Sequence, residues 1–174
     1  MTAYPEKEKH CITDFSNLAA QKWEIVNDGV MGGQSESSFQ INEKGNAVFI
    51  GSISLENNGG FASVRNHESL NLEGFKSLRL HVKGDGNRYC FRLRTADNGG
   101  VHYFSYDYRF ETEAERWMDV DLPLSGFRPF FRGNSLKDVP PMDLSKIRLY
   151  GFLISDKQEG PFRLEIADIW AIRN

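Results

Sequence analysis

Alternation of apolar and polar residues with a period of two dominates the chain after residue 35. In the segment Phe75–Lys83, Leu78, Leu80 and Val82 alternate with polar side chains, as expected for a strand with one buried face. Turn-forming clusters of Asn, Asp and Gly separate such runs, so the sequence predicts an all-β sandwich or barrel, most simply one with two sheets. The predicted strand regions are Ser35–Ile41, Asn46–Glu56, Phe75–Lys83, Tyr89–Thr95, Val101–Phe110, Trp117–Leu122, Ile147–Ile154 and Phe162–Ile172.

Helix is expected only at Asp14–Gln21, with a further turn at Pro141–Lys146. The 174 residues suit one domain, which we predict over residues 14–174 after an N-terminal segment, residues 1–13. The net charge of −3 gives no field that would attract nucleic acid. No apolar run is long enough to span a membrane, and no signal or transit peptide is visible, so a soluble cytoplasmic protein is expected.

Metal and cofactor chemistry finds little support in the sequence. Two cysteines, Cys11 and Cys90, make neither a disulfide framework nor a zinc site, and the four histidines are scattered. Asp119 and Asp121 share one strand face, where paired carboxylates could act as general acid and base, although such a pair is ordinarily only solvated. We therefore predict no metal and no cofactor, and we rank catalysis lowest.

A glycine-rich stretch, Val26–Gly33, follows the short apolar segment that contains Trp23 and Ile25. Three glycines in five positions suit a tight loop that needs positive φ or a close approach by other atoms. One interpretation is a recognition loop in which Met31 supplies an adaptable apolar contact. The other interpretation is a plain connection between two strands.

Arginines recur at alternate strand positions, opposite the aliphatic faces of their strands. If these strands are neighbours, one sheet face carries guanidinium groups suited to carboxylates, phosphates or sugar hydroxyls. The alternative is an outer sheet face whose arginines pair with carboxylates and contribute little. A second cluster, Phe127–Gly133, is typical of a loop. Its phenylalanines and arginines either contact a partner protein or cap one end of the core. The arginine set is Arg79, Arg92, Arg94 and Arg148, with Arg65 a further candidate and Tyr150 continuing the face of Arg148.

Several blocks of the chain together resemble the complex I intermediate-associated protein 30 family. The resemblance covers about residues 14–172, in order and with plausible spacing, and each block alone is weak. It implies a jelly-roll sandwich of the galactose-binding-like class, a fold that also carries carbohydrate-binding modules, and a role in assembling respiratory complex I without catalysis. The blocks are Trp23 with Val26–Ser35, Gly59–Arg65, Leu78–Gly86 with Tyr89–Arg94, Trp117–Pro123, Phe127–Gly133, Ile154–Phe162 and Leu164–Ile169.

Three functions follow from these patterns. The first is a non-catalytic binding protein that contacts a protein partner, such as a respiratory-complex subunit or an assembly intermediate. The second is a module that binds a sugar or another small polar ligand, and the third is a hydrolase that uses paired carboxylates. The residues predicted to form the binding surface are Asn27, Asp28, Gly29, Met31, Gly32, Gly33, Arg65, Arg79, Arg92, Arg94, Phe130, Arg132, Arg148 and Tyr150.

Overall fold

The computed structural model describes residues 8–16, 23–97 and 100–173, without the side chains of Val30 and Met31. These residues form antiparallel strands in two sheets, which confirms the predicted all-β sandwich. The strands are β1 (Lys9–Thr13), β2 (Trp23–Asn27), β3 (Glu36–Ile41), β4 (Ala47–Ile53), β5 (Ala62–Asn66), β6 (Ser77–Lys83), β7 (Arg88–Asp97), β8 (Gly100–Val101), β9 (Ser105–Glu111), β10 (Trp117–Pro123), β11 (Arg128–Phe131), β12 (Asn134–Ser135), β13 (Ile147–Ile154) and β14 (Gly160–Ile172).

One sheet has six strands in the order β10-β6-β14-β4-β3, and β1 also pairs with β14. The other has eight strands in the order β12-β11-β9-β7-β13-β5-β2, and β8 pairs with β7. Most neighbours in space are distant in sequence, so the strand order depends on long-range pairing. Strand β14, the longest of those described, pairs with β4 through its first half and with β6 through its second.

The core lies between the inward faces of the two sheets, as the alternation predicts. Leu78, Leu80 and Val82 from β6 are fully buried and lie in the same core cluster as Phe91 and Leu93 from β7. Each such side chain contributes about 1.5–3 kcal/mol when it is fully removed from water. The opposite faces of the same strands carry their polar residues, which leaves the outer face of each sheet for other interactions.

Two details differ from the expectation, and a third cannot be compared. Strand β1 pairs with β14, so the segment predicted to precede the sandwich supplies one of its strands. The stretch Phe127–Gly133, expected as a loop, contains β11, which pairs with β9 and tolerates Pro129 near the edge of the sheet. The expected helix at Asp14–Gln21 falls largely outside the described residues, and the helices that are described are short 3-10 turns at Asp28–Met31, Glu56–Asn58 and Leu124–Gly126.

The turn expected at Pro141–Lys146 is present, with the Lys146 amide donating to the Asp143 carbonyl at 3.0 Å. Within the part of the chain described, no helix has the length and apolar character needed to cross a membrane.

Candidate functional site

The outer face of the eight-stranded sheet brings arginines together through the register of its strands. Arg65 on β5 lies opposite Gly151 on β13, which lies opposite Arg92 on β7. The same row continues from Arg92 to Asp107 on β9. Because neighbouring strands are about 4.8 Å apart, Arg65 and Arg92 start roughly 10 Å apart. Gly151, which lies between them, is buried, and a Cβ there would lie 2.0 Å from the Val64 carbonyl oxygen, so the two strands pack closely at this point.

A cleft of ≈ 580 Å³ lies above this row. Its walls come from β7, β9, β11, the Asn58–Phe61 segment and the turn after β13. We call it the arginine cleft. It carries six cationic side chains against two carboxylates, although the whole chain has a net charge of −3. The charged residues are Arg65, Arg92, Arg94, Arg109, Arg132 and Lys157 with Asp107 and Asp156.

Among the described residues, Arg92 alone of the arginines at the floor of the cleft has a carboxylate partner. Arg92 donates through Nε and Nη2 to the two oxygens of Asp107, at 3.1 and 2.9 Å. Ser105 adds a hydroxyl hydrogen bond to the same carboxylate at 2.8 Å. Burial alone would lower the pKa of Arg92, but this bidentate pair outweighs burial and raises it. Arg92 is therefore held in place and charged.

Arg65 and Arg94 are in no ion pair with a carboxylate in the described part of the chain, although the charges of Glu24 and Asp107 act favourably on Arg65 and Arg94, respectively. Their Nε atoms are buried, and neither finds a hydrogen-bond acceptor among the described residues. Burial lowers the pKa of Arg94 to about 10, with further contributions from the charges of Arg65 and Arg92. Burial, followed by the charge of Arg92, also lowers the pKa of Arg65. Two partly desolvated cations next to a third are electrostatically unfavourable in the free protein.

The rim of the cleft is aromatic as well as charged. Tyr103 is 64% exposed and Phe131 is 37% exposed, and their rings meet edge to face at 5.1 Å. Arg109 lies 4.7 Å above the ring of Phe130 and also pairs with Asp156 at 3.3 Å. Exposed aromatic rings beside hydrogen-bond donors are typical of surfaces that bind ligands or partners.

Asp28 supports one wall of the cleft from behind. It is fully buried, and its carboxylate accepts hydrogen bonds from the Ser35 amide at 2.9 Å, the Ser35 hydroxyl at 2.5 Å and the Gly60 amide at 2.7 Å. The Phe61 amide adds a longer contact at 3.4 Å. Burial would raise the pKa of Asp28, but these hydrogen bonds prevail and lower it. Gly60 and Phe61 line the cleft, so Asp28 fixes their position.

The glycines on either side of Asp28 are required by its packing. A Cβ at Gly33 would lie 2.4 Å from the Asp28 side chain, and one at Gly59 would lie 2.5 Å from an Asp28 oxygen. Gly32 adopts a positive φ of 87° where the 3-10 turn ends. Both the need for positive φ and the need for close approach, predicted from the sequence, therefore apply. The approaching group is a carboxylate of the chain itself.

The arginine cleft brings together five of the residues predicted to form the binding surface. The other predicted strand residues lie elsewhere. Arg79 is in the six-stranded sheet, on β6, and pairs with Asp121 at 2.6 Å. Arg148 lies where the register of β13 shifts, and it donates to the Ile147 carbonyl. Tyr150 is fully buried in the core, so it does not continue an outer arginine face. The five are Arg65, Arg92, Arg94, Phe130 and Arg132.

Of the glycine-rich stretch Val26–Gly33, Val26 lines the cleft, and the other residues described there do not. Asn27 uses its side-chain oxygen to accept a hydrogen bond from the Ser37 hydroxyl at 2.7 Å, and Asp28 faces inward. Gly29 and Gly32 are exposed, Gly33 lies against Asp28, and the side chain of Met31 is outside the described residues.

Sequence reasoning missed several residues of the cleft. Asp107 and Arg109 alternate with the inward-facing side chains of β9, so the pattern that found Arg92 and Arg94 could have found them. Tyr103 lies in the aromatic-rich stretch before that strand. Gly59–Phe61 belongs to the block Gly59–Arg65 of the family resemblance, but the sequence does not indicate that it is part of a site. The missed cleft residues include Tyr103, Asp107, Arg109 and Gly59–Phe61.

The carboxylates considered for catalysis are each paired with a basic side chain. Asp119 pairs with His81 at 2.9 Å and Asp121 pairs with Arg79, both on the outer face of the six-stranded sheet. Among the residues described, no cluster of His, Cys, Asp and Glu has the arrangement to hold a metal ion. Both carboxylates are therefore already paired within the chain.

Comparison with solved structures shows a likeness to carbohydrate-binding modules. The family 11 module from Clostridium thermocellum, in complex with a β-1,3-1,4-mixed-linked tetrasaccharide, matches with a TM-score of 0.70 at 16% identity. The match covers 94% of this chain and 95% of that one. At this identity the likeness shows the fold alone, and it agrees with the predicted galactose-binding-like sandwich.

Sequence comparison gives closer relatives. A Schizosaccharomyces pombe protein of uncharacterised function is 28% identical over 90% of this chain and 80% of its own length. The mouse protein named complex I intermediate-associated protein 30, mitochondrial, is 29% identical over 83% of this chain. This match spans only 50% of the mouse protein. The family model for complex I intermediate-associated protein 30 matches residues 13–166, so the chain belongs to that family.

Proposed function

We propose that this chain is a non-catalytic binding protein that holds a protein partner at the arginine cleft during assembly of a larger complex. The family and the name of the mouse relative support the assembly role, with a respiratory-complex subunit or assembly intermediate as the partner. The single observation that supports the cleft as the binding site is that the buried Nε atoms of Arg65 and Arg94 have no acceptor among the described residues. The predicted cytoplasmic location stays a prediction, and the mouse relative is named as mitochondrial.

The charges of the cleft define the kind of partner surface that fits. Six cations against two carboxylates favour acidic or strongly polar groups, because unpaired buried cations gain most from acceptors. The aromatic rim, with Tyr103 and Phe131, adds apolar contacts of the kind that dominate the energy of interfaces. Together these features describe a site in which charge selects the partner and aromatic rings hold it.

Charge reversal in the cleft tests the proposal. Affinity capture of the full chain from the organism that makes it, followed by mass spectrometry, identifies the partner. Arg94→Glu should abolish capture of that partner, because the new carboxylate repels its acidic groups. Arg116→Glu is the matched control, since Arg116 is exposed and lies away from the cleft, in an ion pair with Glu113. Equal capture by both variants would contradict the proposal.

A second candidate function is carbohydrate binding in the same cleft. The observation that favours it is the fold shared with a module that was solved in complex with a mixed-linked tetrasaccharide. Exposed rings such as Tyr103 could stack on sugars while arginines donate to hydroxyls. Calorimetric titration with the β-1,3-1,4-mixed-linked tetrasaccharide separates the two candidates. Binding that Arg94→Gln abolishes would favour the carbohydrate function, whereas no heat beside a captured partner favours assembly.

A further inference from the structure

We propose that the floor of the arginine cleft is an oxyanion site for a phosphate monoester, recognised by Arg65 and Arg94. This inference rests on the proposed function, because it names the chemical group that the same cleft would take. The names of the family and of the structural relatives do not mention a phosphate ligand. It follows from geometry and charge in this chain.

The register gives the site its shape. Arg65 and Arg92 lie on either side of Gly151 in one row across three strands. Arg94 is two residues further along β7, on the same face as Arg92. The three side chains therefore start within about 12 Å of one another, and all three line the cleft. A tetrahedral oxyanion placed there could accept hydrogen bonds from more than one guanidinium.

The charge at the floor sets the charge of the ligand. Asp107 compensates Arg92 through a bidentate pair, whereas Arg65 and Arg94 have no carboxylate in an ion pair with them in the described part of the chain. The two cations outside an ion pair are best matched by a group with two negative charges. A phosphate monoester carries about 1.5–2 negative charges at neutral pH, whereas a single carboxylate carries one. The charge match therefore favours phosphate over a lone carboxylate.

The donor geometry agrees with the charge. The Nε–H groups of Arg65 and Arg94 are buried and lack acceptors, so their donors are available without breaking an existing bond. A phosphate oxygen would supply the missing acceptors and relieve the repulsion among the three arginines. The aromatic rim at Tyr103 and Phe131 would contact whatever carries the phosphate, either a small molecule or a phosphorylated protein side chain.

Titration of the full chain with inorganic phosphate at constant ionic strength tests the site. Nuclear magnetic resonance of the arginine Nε–H groups should show saturable shifts for Arg65 and Arg94. The double variant Arg65→Gln, Arg94→Gln should weaken phosphate binding by about tenfold or more, because both charged donors are lost. Arg116→Gln, an exposed arginine, should bind as the unaltered chain does.

Pairs of ligands that differ only in the phosphate group then show whether the phosphate is recognised and whether it belongs to a small molecule or to a protein side chain. Glucose 6-phosphate against glucose probes a small phosphorylated molecule, and a phosphoserine peptide against its serine form probes a protein side chain. In at least one pair, the phosphorylated member should bind and the other should not. Three results would overturn the inference. The first is equal binding of both members in each pair, and the second is no phosphate binding at millimolar concentration. The third is undiminished binding by the double variant when its near-ultraviolet circular dichroism spectrum is native.

The outcomes also separate this inference from the proposed function. If Arg94→Glu abolishes partner capture while phosphate fails to bind, the assembly role stands and the oxyanion site is refuted. If phosphate binds through Arg65 and Arg94 while charge reversal leaves partner capture unchanged, the oxyanion site stands and the assembly surface lies elsewhere.

Discussion

Replacing Asp28 by Asn tests whether a buried carboxylate, rather than the loop sequence alone, organises the glycine-rich segments. Asparagine keeps the size and shape of the side chain but has one acceptor oxygen in place of two. One Asp28 oxygen accepts from the Ser35 hydroxyl and from the Gly60 and Phe61 amides, so the asparagine oxygen should take that side. Its NH₂ group would then face the Ser35 amide, which donates to the other oxygen in the native protein.

The magnitude follows from these contacts. One charge-assisted hydrogen bond is lost and one buried N–H is left without an acceptor, which costs about 1–3 kcal/mol. The remaining hydrogen bonds become neutral and weaken by about 0.5–1 kcal/mol each. We therefore expect Asp28→Asn to lower the free energy of unfolding by about 3–5 kcal/mol. For a domain of this size that corresponds to a decrease in Tm on the order of 10 °C.

Urea unfolding followed by tryptophan fluorescence measures this difference, and the matched control is Asp143→Asn. Asp143 accepts a backbone and a hydroxyl hydrogen bond from Ser145, as Asp28 does from Ser35, but it is exposed to solvent. The control should therefore lose much less stability than the variant at the buried site. A variant Asp28→Asn within 0.5 kcal/mol of the unaltered chain, roughly the effect of an ordinary surface substitution, would refute the reasoning.

The pH dependence provides an independent check of the same interaction. The pKa of Asp28 in the folded chain lies below its ordinary value of 3.8. Its contribution to stability is therefore complete well above that value and is lost as the pH falls through the folded pKa. The stability difference between the unaltered chain and Asp28→Asn should narrow below about pH 4. A difference that stays constant in this range would show that the charge of Asp28 contributes nothing.

Three further predictions concern the arginine cleft. Burial and the charges of Arg65 and Arg92 lower the pKa of Arg94 to about 10, so the charge of Arg94 is unfavourable in the folded chain. Arg94→Gln should therefore raise the free energy of unfolding by about 1–2 kcal/mol in urea titrations. A loss of stability would contradict the interpretation that this charge has no partner. Asp107→Asn leaves the cation of Arg92 without its carboxylate, so calorimetry should show a decrease of about 3–5 kcal/mol in the free energy of unfolding. An unchanged Tm would be inconsistent with the ion pair between Arg92 and Asp107. Cys90 is 3% exposed and burial raises the pKa of its thiol, so iodoacetamide should alkylate it only after unfolding, and rapid reaction in the native chain would contradict its burial.

The strands could be predicted from the sequence because alternation is a local property. Arg92 and Arg94 alternate with Phe91 and Leu93, so their outward orientation follows from β7 alone. The partners of each strand could not be predicted in the same way. Arg79 shows the same alternation, but β6 pairs with β10 and β14 and therefore lies in the other sheet. Strand order depends on pairing between distant segments, which a local pattern does not specify.

The role of Asp28 could not be predicted from the sequence, for a related reason. An aspartate among glycines is typical of an exposed turn, and nothing local indicates that its carboxylate is buried. Its donors come from residues 7, 32 and 33 positions away in sequence, at Ser35, Gly60 and Phe61. Likewise Phe127–Gly133 contains proline and glycine, so its strand β11 became recognisable only through its pairing with β9.

Site-specific photocrosslinking tests most directly whether the arginine cleft is the surface that binds a partner. A benzoylphenylalanine at position 103, on the exposed rim of the cleft, is compared with one at position 117, where Trp117 packs on the outer face of the six-stranded sheet. Irradiation in the organism that makes the protein should yield a discrete protein adduct from position 103 that disappears when Arg94→Glu is added. An adduct from position 117 alone, unaffected by Arg94→Glu, would contradict the account.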